Sequence, residues 1–578
     1  MKEKEGKIFF MALSCPIRIF FRKFAIEIKT EAMKYPIGIQ SFDKVREGGF
    51  VYVDKTDLVY DLTHKGTIYF LSRPRRFGKS LLVSTLKAYF EGKKELFKGL
   101  KIDTLEKEWK QYPVFHVDFN GYDFLNVDNL LNILTGYVKE WEAQWGKDPY
   151  NDALGDRFAY VLHQAHRQTG LPSVVLIDEY DKPMLDVLDT GARLNNDEKD
   201  VLLEEYNRNL LKGFYSVFKK ADADLQFVFL TGVTKFSQIT VFSGFNQPND
   251  ISMDTHYDSI CGITKKELGE YFAEPIKQIA ETYGVTTGEM EDALGKQYDG
   301  YHFSSAMTDI FNPFSILNAF SKQELGDYWF QSGTPTYLIR LLNHSHENLN
   351  EMTGKYYAAA QFIDYKADVE MPLPMFYQSG YLTIKDVKRK SMTRVTYKLD
   401  FPNDEVKNGF LTVVANNYLK SREDVRNWAD ETVDALDEGN IEKFKTLLTT
   451  FLSSIPYSAR RHENEREQER YFQYTIYLLM RIVSCYTVYH EKETSQGRAD
   501  CVIETPHFVY IIEYKLDRPA AEALAQIDER GYAREYANDK RKVYKIACCF
   551  SSETGTVSEF EAKDSSLSSN YQSLPKRA

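Results

Sequence analysis

The first half of the chain contains short apolar runs with the pattern of buried strands. Residues 174–177 are apolar at every position, as expected for a strand covered on both faces in a parallel sheet. Residues 67–71 and 225–230 are two further strand-like runs, and residues 192–220 have the periodicity of a helix. The pattern predicts an α/β fold whose parallel sheet binds ligands at the carboxyl ends of its strands.

The pattern of apolar and polar residues changes twice after the segments of the predicted parallel sheet. The region after residue 255 reads as mixed and mainly helical, and residues 263–268 resemble the capped start of a helix. The last quarter contains two β-rich runs, residues 499–504 and 509–516, separated by the turn-like residues 505–508. These runs predict a β-hairpin.

The predicted hairpin brings acidic side chains together. If its turn is centred in the middle of residues 505–508, Asp500 lies directly opposite Glu513. Because side chains alternate along a strand, Lys515 then shares the face of Glu513 while Tyr514 points away. Two carboxylates this close repel each other unless a cation lies between them, and oxygen ligands of this kind suit Mg²⁺ or Mn²⁺.

Phosphodiester hydrolysis is the chemistry that fits this cluster. A metal held by Asp500 and Glu513 would polarise a phosphate and activate a water, while Lys515 would orient the nucleophile or neutralise the developing charge. The alternative is that an Asp followed by Glu-x-Lys arises by chance, or that the fold only binds its target.

A phosphate-binding loop is predicted at residues 73–80, between the first strand-like run and a helix-like segment. Such a turn directs backbone N–H groups and the positive end of the helix at one point, and Lys79 adds a full charge. An anion such as a nucleoside triphosphate would fit. The motif is weak alone, because Arg73 stands where the usual loop begins with Gly.

Acids at the end of the second strand strengthen the nucleotide hypothesis. Asp178 is placed to hold Mg²⁺ beside the Ser80 hydroxyl, and Glu179 to polarise the attacking water. The alternative is a buried strand followed by acids that cap the next helix. Thr231 and Thr234 end the third strand, either to sense a γ-phosphate or to satisfy backbone groups.

From Tyr35 to about Asp254 the chain resembles the AAA-ATPase-like domain of many bacterial proteins. The matching segments are Tyr52–Thr56, Arg73–Ser80, Ile177–Pro183 and Thr231–Phe236. Arg73 in place of Gly is usual in that family. The resemblance implies a P-loop NTPase core that contacts ATP and Mg²⁺ through Arg76, Phe77, Gly78, Lys79, Ser80, Asp178 and Thr231. It also implies that Tyr52–Thr56 lies over the adenine, although a structural turn fits that segment equally.

Residues 469–550 resemble the PD-(D/E)xK nucleases, which often follow such ATPase domains. The matching segments are Gly497–Asp500, Glu513–Lys515 and Gln526–Asp528. The resemblance implies a restriction-endonuclease-like fold in which Gln526 positions the metal-bound water or the DNA. It further implies that Glu469 and Glu491 add acids to the site.

Composition excludes some classes of protein. The 578 residues are 43 % hydrophobic and 27 % charged, an ordinary soluble mixture. A net charge of −11 argues against coating nucleic acid through bulk charge. Residues 460–550 carry 15 basic and 15 acidic side chains, so this segment is neutral, which is mild support for a local DNA groove or equally a solvated surface.

The cysteines and the N-terminus point to the cytoplasm. The six cysteines, Cys15, Cys261, Cys485, Cys501, Cys548 and Cys549, lack metal-ligand spacing, so we expect free thiols in a reducing compartment and no structural zinc. Residues 1–32 look like an extraneous leader produced by an upstream start codon. A weak secretory or lipoprotein signal is the alternative, and the apolar run is too short to span a membrane.

The predicted organisation has six parts. These are a leader at 1–32, an AAA-ATPase-like domain at 33–255, a lid or winged-helix-like region at 256–400, a helical linker at 401–459, a nuclease-like domain at 460–555 and a flexible tail at 556–578. His302 is expected to pack in a core rather than stack on a base, and Arg340 is one of many possible arginine fingers.

The predicted function is that of an ATP-regulated, metal-dependent enzyme that cleaves DNA. Two alternatives remain open from the sequence. One is a nucleotide-switched scaffold that binds nucleic acid or protein without cutting, and the other is a signalling ATPase that forms homo-oligomers.

Overall fold

The computed structural model describes residues 33–564 with internal gaps. The gaps are residues 189, 197–198, 236–247, 333–351, 364–371, 422–423, 458–464, 484–486 and 495–496. The predicted leader, Arg340, Cys15 and Cys485 therefore lie outside the described residues.

A five-stranded parallel sheet forms the centre of the N-terminal region. Its strands are β1 (Ile68–Ser72), β2 (Val114–Asp118), β3 (Ser173–Asp178), β6 (Leu225–Gly232) and β7 (Asn249–Asp250). They lie in the order β2-β3-β6-β1-β7, with every neighbouring pair parallel. All of β3 and nearly all of β6 are buried, as the apolar runs predicted.

Helices cover this sheet. They are α1 (Phe42–Glu47), α2 (Thr56–Lys65), α3 (Lys79–Phe90), α4 (Lys101–Leu105), α5 (Asn129–Trp145), α6 (Leu154–Thr169), α7 (Lys182–Leu185), α8 (Leu203–Tyr215) and α9 (Val217–Lys220). The helix predicted over residues 192–220 begins only at Leu203, so its first third was wrong. Strands β4 (Arg193–Asn196) and β5 (Lys199–Leu202) pair there instead, because Asn195 and Asn196 favour a turn over a helix.

The middle region combines helices with two small sheets. Its helices are α10 (Lys265–Tyr283), α11 (Thr287–Tyr298), α12 (Pro313–Lys322), α13 (Tyr328–Gln331) and α14 (Leu373–Gln378). Its strands are β8 (Ile263–Thr264), β9 (Ile310–Phe311), β10 (Lys355–Ala358), β11 (Thr383–Arg389) and β12 (Val395–Asp400). The predicted capped helix start is confirmed, because Thr264 and Glu267 form a capping box at the start of α10.

A mixed five-stranded sheet forms the C-terminal region. Its strands are β13 (Thr487–Thr494), β14 (Gly497–Glu504), β15 (Phe508–Leu516), β16 (Lys542–Phe550) and β17 (Val557–Asp564), arranged in that order. The pair β15/β16 is parallel and the other pairs are antiparallel. Helix α19 (Ala520–Glu529) connects β15 to β16 and packs on both of them.

Four helices join the middle region to this sheet. They are α15 (Asp404–Leu419), α16 (Val425–Asp437), α17 (Ile441–Ser454) and α18 (Glu465–Ile482). The Tyr510 hydroxyl on β15 donates to the Leu436 carbonyl at 2.5 Å, and the Tyr418 ring stacks on Tyr471, 5.5 Å away. One continuous buried core therefore runs from the N-terminal sheet through these helices to the C-terminal sheet.

The flexible tail predicted from residue 556 was wrong for its first part, because residues 557–564 form β17. This strand is an edge strand with mostly exposed side chains, and the Phe560 ring reaches Phe444 at 6.1 Å. A polar edge strand gives little apolar signal in the sequence. Among the described helices, none has the length and apolar character needed to cross a membrane.

Candidate functional site

The loop between β1 and α3 has the shape of an anion cradle. Gly78 precedes the helix at φ 94°, and Arg76 also adopts a left-handed conformation at φ 69°. The loop thereby turns its backbone toward the first turn of α3, where Lys79 and Ser80 lie. The buried Lys79 ammonium donates to the carbonyl oxygens of Arg73, at 2.9 Å, and Pro74, at 3.1 Å.

Arg73 points into the protein rather than toward the loop cavity. Its side chain is 1 % exposed and donates to the carbonyls of Ser72 and Ser252 at 2.9 and 2.8 Å. It also donates to the carbonyls of Tyr257 and Asp258, each at 3.3 Å, and its Cζ lies 4.2 Å from the Phe303 ring centre. The arginine that replaces the usual glycine therefore ties the loop to the segment after β7.

The end of β3 meets the end of β6 through a short hydrogen bond. The order of the sheet places β6 between β1 and β3, so all three carboxyl ends lie side by side. The buried Thr231 hydroxyl donates to Asp178 Oδ1 at 2.5 Å, and the Glu179 amide donates to the same atom at 3.1 Å. Thr231 therefore orients the Asp178 side chain, and both of its predicted roles, as a γ-phosphate sensor or a donor to backbone groups, stay predictions.

Asp181 is a second buried acid at this edge. Its Oδ2 accepts from the amides of Val233 and Thr234 at 3.0 and 2.6 Å, and from the Thr234 hydroxyl at 2.7 Å. Burial raises the pKa of Asp181, and the Thr234 hydrogen bonds oppose that shift. Burial also raises the pKa of Glu179, while the charge of Lys79 lowers it.

A cavity of about 450 Å³ opens in front of the loop. Its lining includes Arg75, Arg76, Gly78, Lys79, Ser80, Asn120, Glu179 and Lys182. Asp178 and Thr231 are buried behind this lining. The Phe77 side chain packs in the core against Tyr301, so only its backbone is available to a ligand in the cavity.

A smaller apolar pocket adjoins this cavity. It measures about 100 Å³ and shares Gly78, Leu81 and Leu317 with the cavity lining. Tyr52 and Val53 line it, which puts the segment predicted to lie over an adenine beside the loop. The pocket is suited to a flat apolar group attached to a phosphate chain.

The middle region contacts the loop directly. The Trp329 indole N–H donates to the Arg75 carbonyl at 3.0 Å, and the Arg76 guanidinium lies 4.3 Å from the Phe314 ring centre. His302 is buried, with Nδ1 2.7 Å from the Ile384 carbonyl, so its expected core packing is confirmed.

The C-terminal hairpin has the predicted register. Cys501 pairs with Ile512 and Glu504 with Val509, which sets Asp500 opposite Glu513. The Tyr514 amide donates to Asp500 Oδ2 at 2.9 Å. The alternation along β15 is also as predicted.

The same face of β15 carries Glu513 and Lys515. The Lys515 ammonium lies 3.0 Å from Glu513 Oε1, while Glu513 Oε2 is buried without a hydrogen-bond partner among the described residues. Burial, and then the nearby charge of Asp500, raise the pKa of Glu513 to about 7. An unsatisfied carboxylate oxygen beside a second carboxylate fits a divalent cation.

The resemblance to nucleases implied three further residues for this site. Gln526 lies on α19, and its Nε2 is 3.5 Å from the Tyr532 hydroxyl. Glu469 and Glu491 belong to α18 and β13, but their side chains lie outside the described part of the chain. Among described residues, no group of three or more acids, histidines or cysteines is arranged to hold a metal.

Comparison with known proteins identifies two domains. Residues 36–242 match the family described as a predicted AAA-ATPase, and residues 467–560 match the PD-(D/E)XK nuclease superfamily. The protein named "uncharacterized protein in vnfD 5′ region" of Azotobacter chroococcum mcd 1 is 33 % identical over 530 residues, which cover 91 % of this chain and 98 % of that protein. The chain belongs to this AAA-ATPase-like family with a C-terminal nuclease superfamily domain.

Three residues at or beside the loop cavity were missed as site residues in the sequence. Asp181 and Asn120 each follow a buried strand of the parallel sheet by two or three positions, a spacing that could have identified both. Trp329 had no such signal, because it comes from a different region of the chain. Neither spacing nor motif predicts that an indole N–H will meet the Arg75 carbonyl.

The cysteines in the described part of the chain are free and buried. They are Cys261, Cys501, Cys548 and Cys549. Burial raises the pKa of Cys261 and holds its thiol in the protonated form. These residues therefore pack as small apolar side chains.

Proposed function

We propose that the AAA-ATPase-like domain binds and hydrolyses ATP with Mg²⁺. The observation that carries this proposal is the convergence of the loop, the β3 acids and Thr231 at one edge of the parallel sheet. Backbone N–H groups of residues 76–80 and the Lys79 ammonium would hold the phosphates. The apolar pocket beside Tyr52 would hold the adenine.

Each polar residue at the sheet edge has a role in this proposal. Ser80 and Asp178 would hold the Mg²⁺, which supplies charge neutralisation to the phosphates. Glu179 faces the cavity and, with its pKa raised by burial, is suited to accept a proton from the attacking water. Thr231 would orient Asp178 through the bond it already makes.

The test is ATP binding and turnover by the full chain. Lys79→Ala should abolish binding of a fluorescent ATP analogue and reduce turnover to background, because the charge at the centre of the loop is lost. Lys94→Ala is the matched control, since Lys94 is an exposed lysine of the same domain. Unchanged turnover in Lys79→Ala would contradict the nucleotide assignment.

We propose further that the nuclease superfamily domain hydrolyses phosphodiesters, with DNA as its substrate. The buried Glu513 oxygen that has no hydrogen-bond partner among the described residues, on the residue opposite Asp500 in the hairpin, carries this proposal. A Mg²⁺ or Mn²⁺ bound by these carboxylates would supply Lewis-acid activation of the phosphate and of a water. Lys515 would stabilise negative charge on the phosphate as the bond breaks, and Gln526 would position the nucleophilic water or the DNA.

Metal binding tests this second part independently of cleavage. We expect calorimetry to detect Mn²⁺ binding that Asp500→Asn and Glu513→Gln each weaken at least about tenfold, since each removes one charged ligand. Glu553→Gln, an exposed glutamate of the same domain, is the control. Equal affinity in all variants would refute the assigned ligands.

The two domains share one core through α15 and α18, which supports ATP regulation of cleavage as the function of the whole chain. A nucleotide-dependent movement of the loop would reach α15 through Trp329, whose backbone N–H donates to Glu405 at 2.6 Å. Glu405 lies in the first turn of α15.

A further inference from the structure

The three arginines of the loop occupy three different environments. Arg73 is buried among backbone carbonyls, and Arg76 stacks on Phe314 of α12. Arg75 is exposed and lines the cavity together with Lys79, Ser80 and Glu179. Within the described part of the chain, the Arg75 guanidinium has neither an ion pair nor a hydrogen bond. A free guanidinium at this place calls for an explanation.

Arg75 lies where it would contact the phosphates of a bound nucleotide rather than the adenine. It precedes Lys79 by four residues, and it lines the same cavity as Lys79 and Glu179. Burial raises the pKa of Glu179, and the charges of Lys79 and, to a smaller extent, Arg75 lower it. Arg75 therefore belongs to the cavity that contains Lys79, Ser80 and Glu179, and it does not line the apolar pocket beside Tyr52.

The backbone of Arg75 is held by a contact from outside the loop. The Trp329 indole N–H donates to its carbonyl at 3.0 Å, and the neighbouring Pro74 is packed against Gly380. Gly380 has φ 86°, and a Cβ there would lie 2.6 Å from the Pro74 side chain. The loop is therefore clamped on the Arg75 side while the Arg75 side chain stays free.

We propose that Arg75 is a catalytic residue that stabilises the γ-phosphoryl transition state, supplied in cis by the phosphate loop itself. The inference rests on the proposed ATP hydrolysis. In that reaction the water oxygen bonds to the γ-phosphorus, the bond to the β,γ-bridging oxygen breaks, and the water gives its proton to Glu179. Arg75 forms hydrogen bonds to the γ-phosphoryl oxygens, on which negative charge is spread.

If Arg75 has this role, no second copy of the chain is needed to supply the catalytic arginine. Many phosphoryl-transfer sites take this charge from a separate subunit or protein, and their turnover depends on assembly. Here turnover per chain should stay constant when the protein is diluted. Trp329 is a positioning residue for Arg75, because its indole N–H donates to the Arg75 carbonyl.

The test separates binding from catalysis in the full-length protein. Arg75→Ala should lower the ATP turnover number about 10²- to 10³-fold while changing the affinity for a non-hydrolysable ATP analogue less than about fivefold. The affinity for ADP with aluminium fluoride, which mimics the transition state, should fall as far as turnover does. Arg75→Lys should recover only part of the loss, because a single ammonium lacks the planar fork of arginine.

Arg167→Ala is the matched control, because Arg167 is an exposed arginine at the end of α6. Mixing Arg75→Ala with Lys79→Ala tests the cis assignment, and no recovery of turnover is expected. Recovery on mixing, or unchanged turnover in Arg75→Ala, would overturn the inference. Wild-type protein that binds no ATP would instead overturn the proposed function on which it rests, so the two failures are distinguishable.

Discussion

The two candidate sites hold their acids in opposite ways. At the edge of the parallel sheet, Asp178 and Asp181 accept hydrogen bonds from amides and threonine hydroxyls of β6 and the residues after it. On the C-terminal hairpin, Glu513 has one oxygen bonded to Lys515 and one buried oxygen with no partner in the described residues. At the first site the protein itself supplies hydrogen-bond donors to Asp178 and Asp181, whereas at the second site one Glu513 oxygen has no donor among the described residues.

This difference follows from how each site is assembled. The candidate nucleotide site is built from different strands of the parallel sheet, and the hydrogen-bond partners of Asp178 and Asp181 include donors in residues 231–234, which lie 52 or 53 positions further along the chain. The hairpin site comes from two adjacent strands that place carboxylates face to face. Although the Tyr514 amide donates to Asp500, burial and then the nearby charge of Asp500 raise the pKa of Glu513 to about 7.

The largest effect should come from removing the only cation seen in contact with Glu513 in the described structure. Lys515→Ala should reduce metal-dependent DNA cleavage about 10²- to 10³-fold, because the charge that stabilises the phosphate transition state is lost. ATP turnover should not change. Lys540→Ala, an exposed lysine of the same domain, serves as control in the same gel assay. Cleavage retained in Lys515→Ala would remove the hairpin from the proposed mechanism.

Replacing Arg73 by the glycine that most phosphate loops carry at this position should destabilise the protein. Arg73→Gly leaves the carbonyls of Ser252, Tyr257 and Asp258 without their donor and opens a cavity against Phe303. We expect a loss of about 3–4 kcal/mol in the unfolding free energy of the AAA-ATPase-like domain. Calorimetric melting measures it, and an unchanged or higher melting temperature would show that Arg73 is dispensable to the fold.

The buried carboxyl of Glu405, which accepts a hydrogen bond from Trp329, makes a prediction about the pH dependence of stability possible. Burial raises its pKa from 4.5 to about 7 although Ser315 and Trp329 donate to it. The folded protein then keeps a proton that the unfolded chain has lost above pH 4.5. This stabilisation is complete at lower pH and disappears as the pH rises through 7.

Glu405→Gln should remove that dependence. The stability of the wild type relative to this variant should fall by about 3 kcal/mol between pH 4.5 and pH 7, as the shift implies. Melting temperatures measured across this range give the comparison. Parallel curves for the two proteins would mean that Glu405 ionises at its ordinary pKa.

The smallest effects should differ in sign between the two sites. In metal-free buffer at pH 8, Asp181→Ala should cost about 1–2 kcal/mol, because the amides of Val233 and Thr234 lose their buried hydrogen-bond acceptor. Glu513→Gln should stabilise its domain by about 1 kcal/mol, because it removes a buried charge beside Asp500. If both substitutions lower the unfolding free energy, the proposed difference between the two sites is wrong.

The hairpin site was the easier to predict from the sequence. Strand alternation and a central turn were enough to set Asp500 opposite Glu513 and to put Lys515 on the same face, and the structure has this register. The loop at 73–80 and the acid at 178 were likewise found from local patterns. These features depend on residues close together in the chain.

The features that could not be predicted from the sequence depend on contacts between residues far apart in the chain. The inward direction of Arg73 is set by carbonyls at 252–258, and the clamp on Arg75 by Trp329. No local pattern carries that information. Strand β17 was missed for a different reason, because an edge strand with polar side chains resembles a tail in the sequence.

The most direct test of the account is Mg²⁺-dependent cleavage of plasmid DNA by the wild type and by Lys79→Ala, each with and without ATP. We expect the wild type to cleave DNA at a rate that ATP changes several-fold, and Lys79→Ala to cleave at one rate in both conditions. Absence of cleavage in every condition, with ATP turnover intact, would contradict the account and favour a nucleotide-switched scaffold.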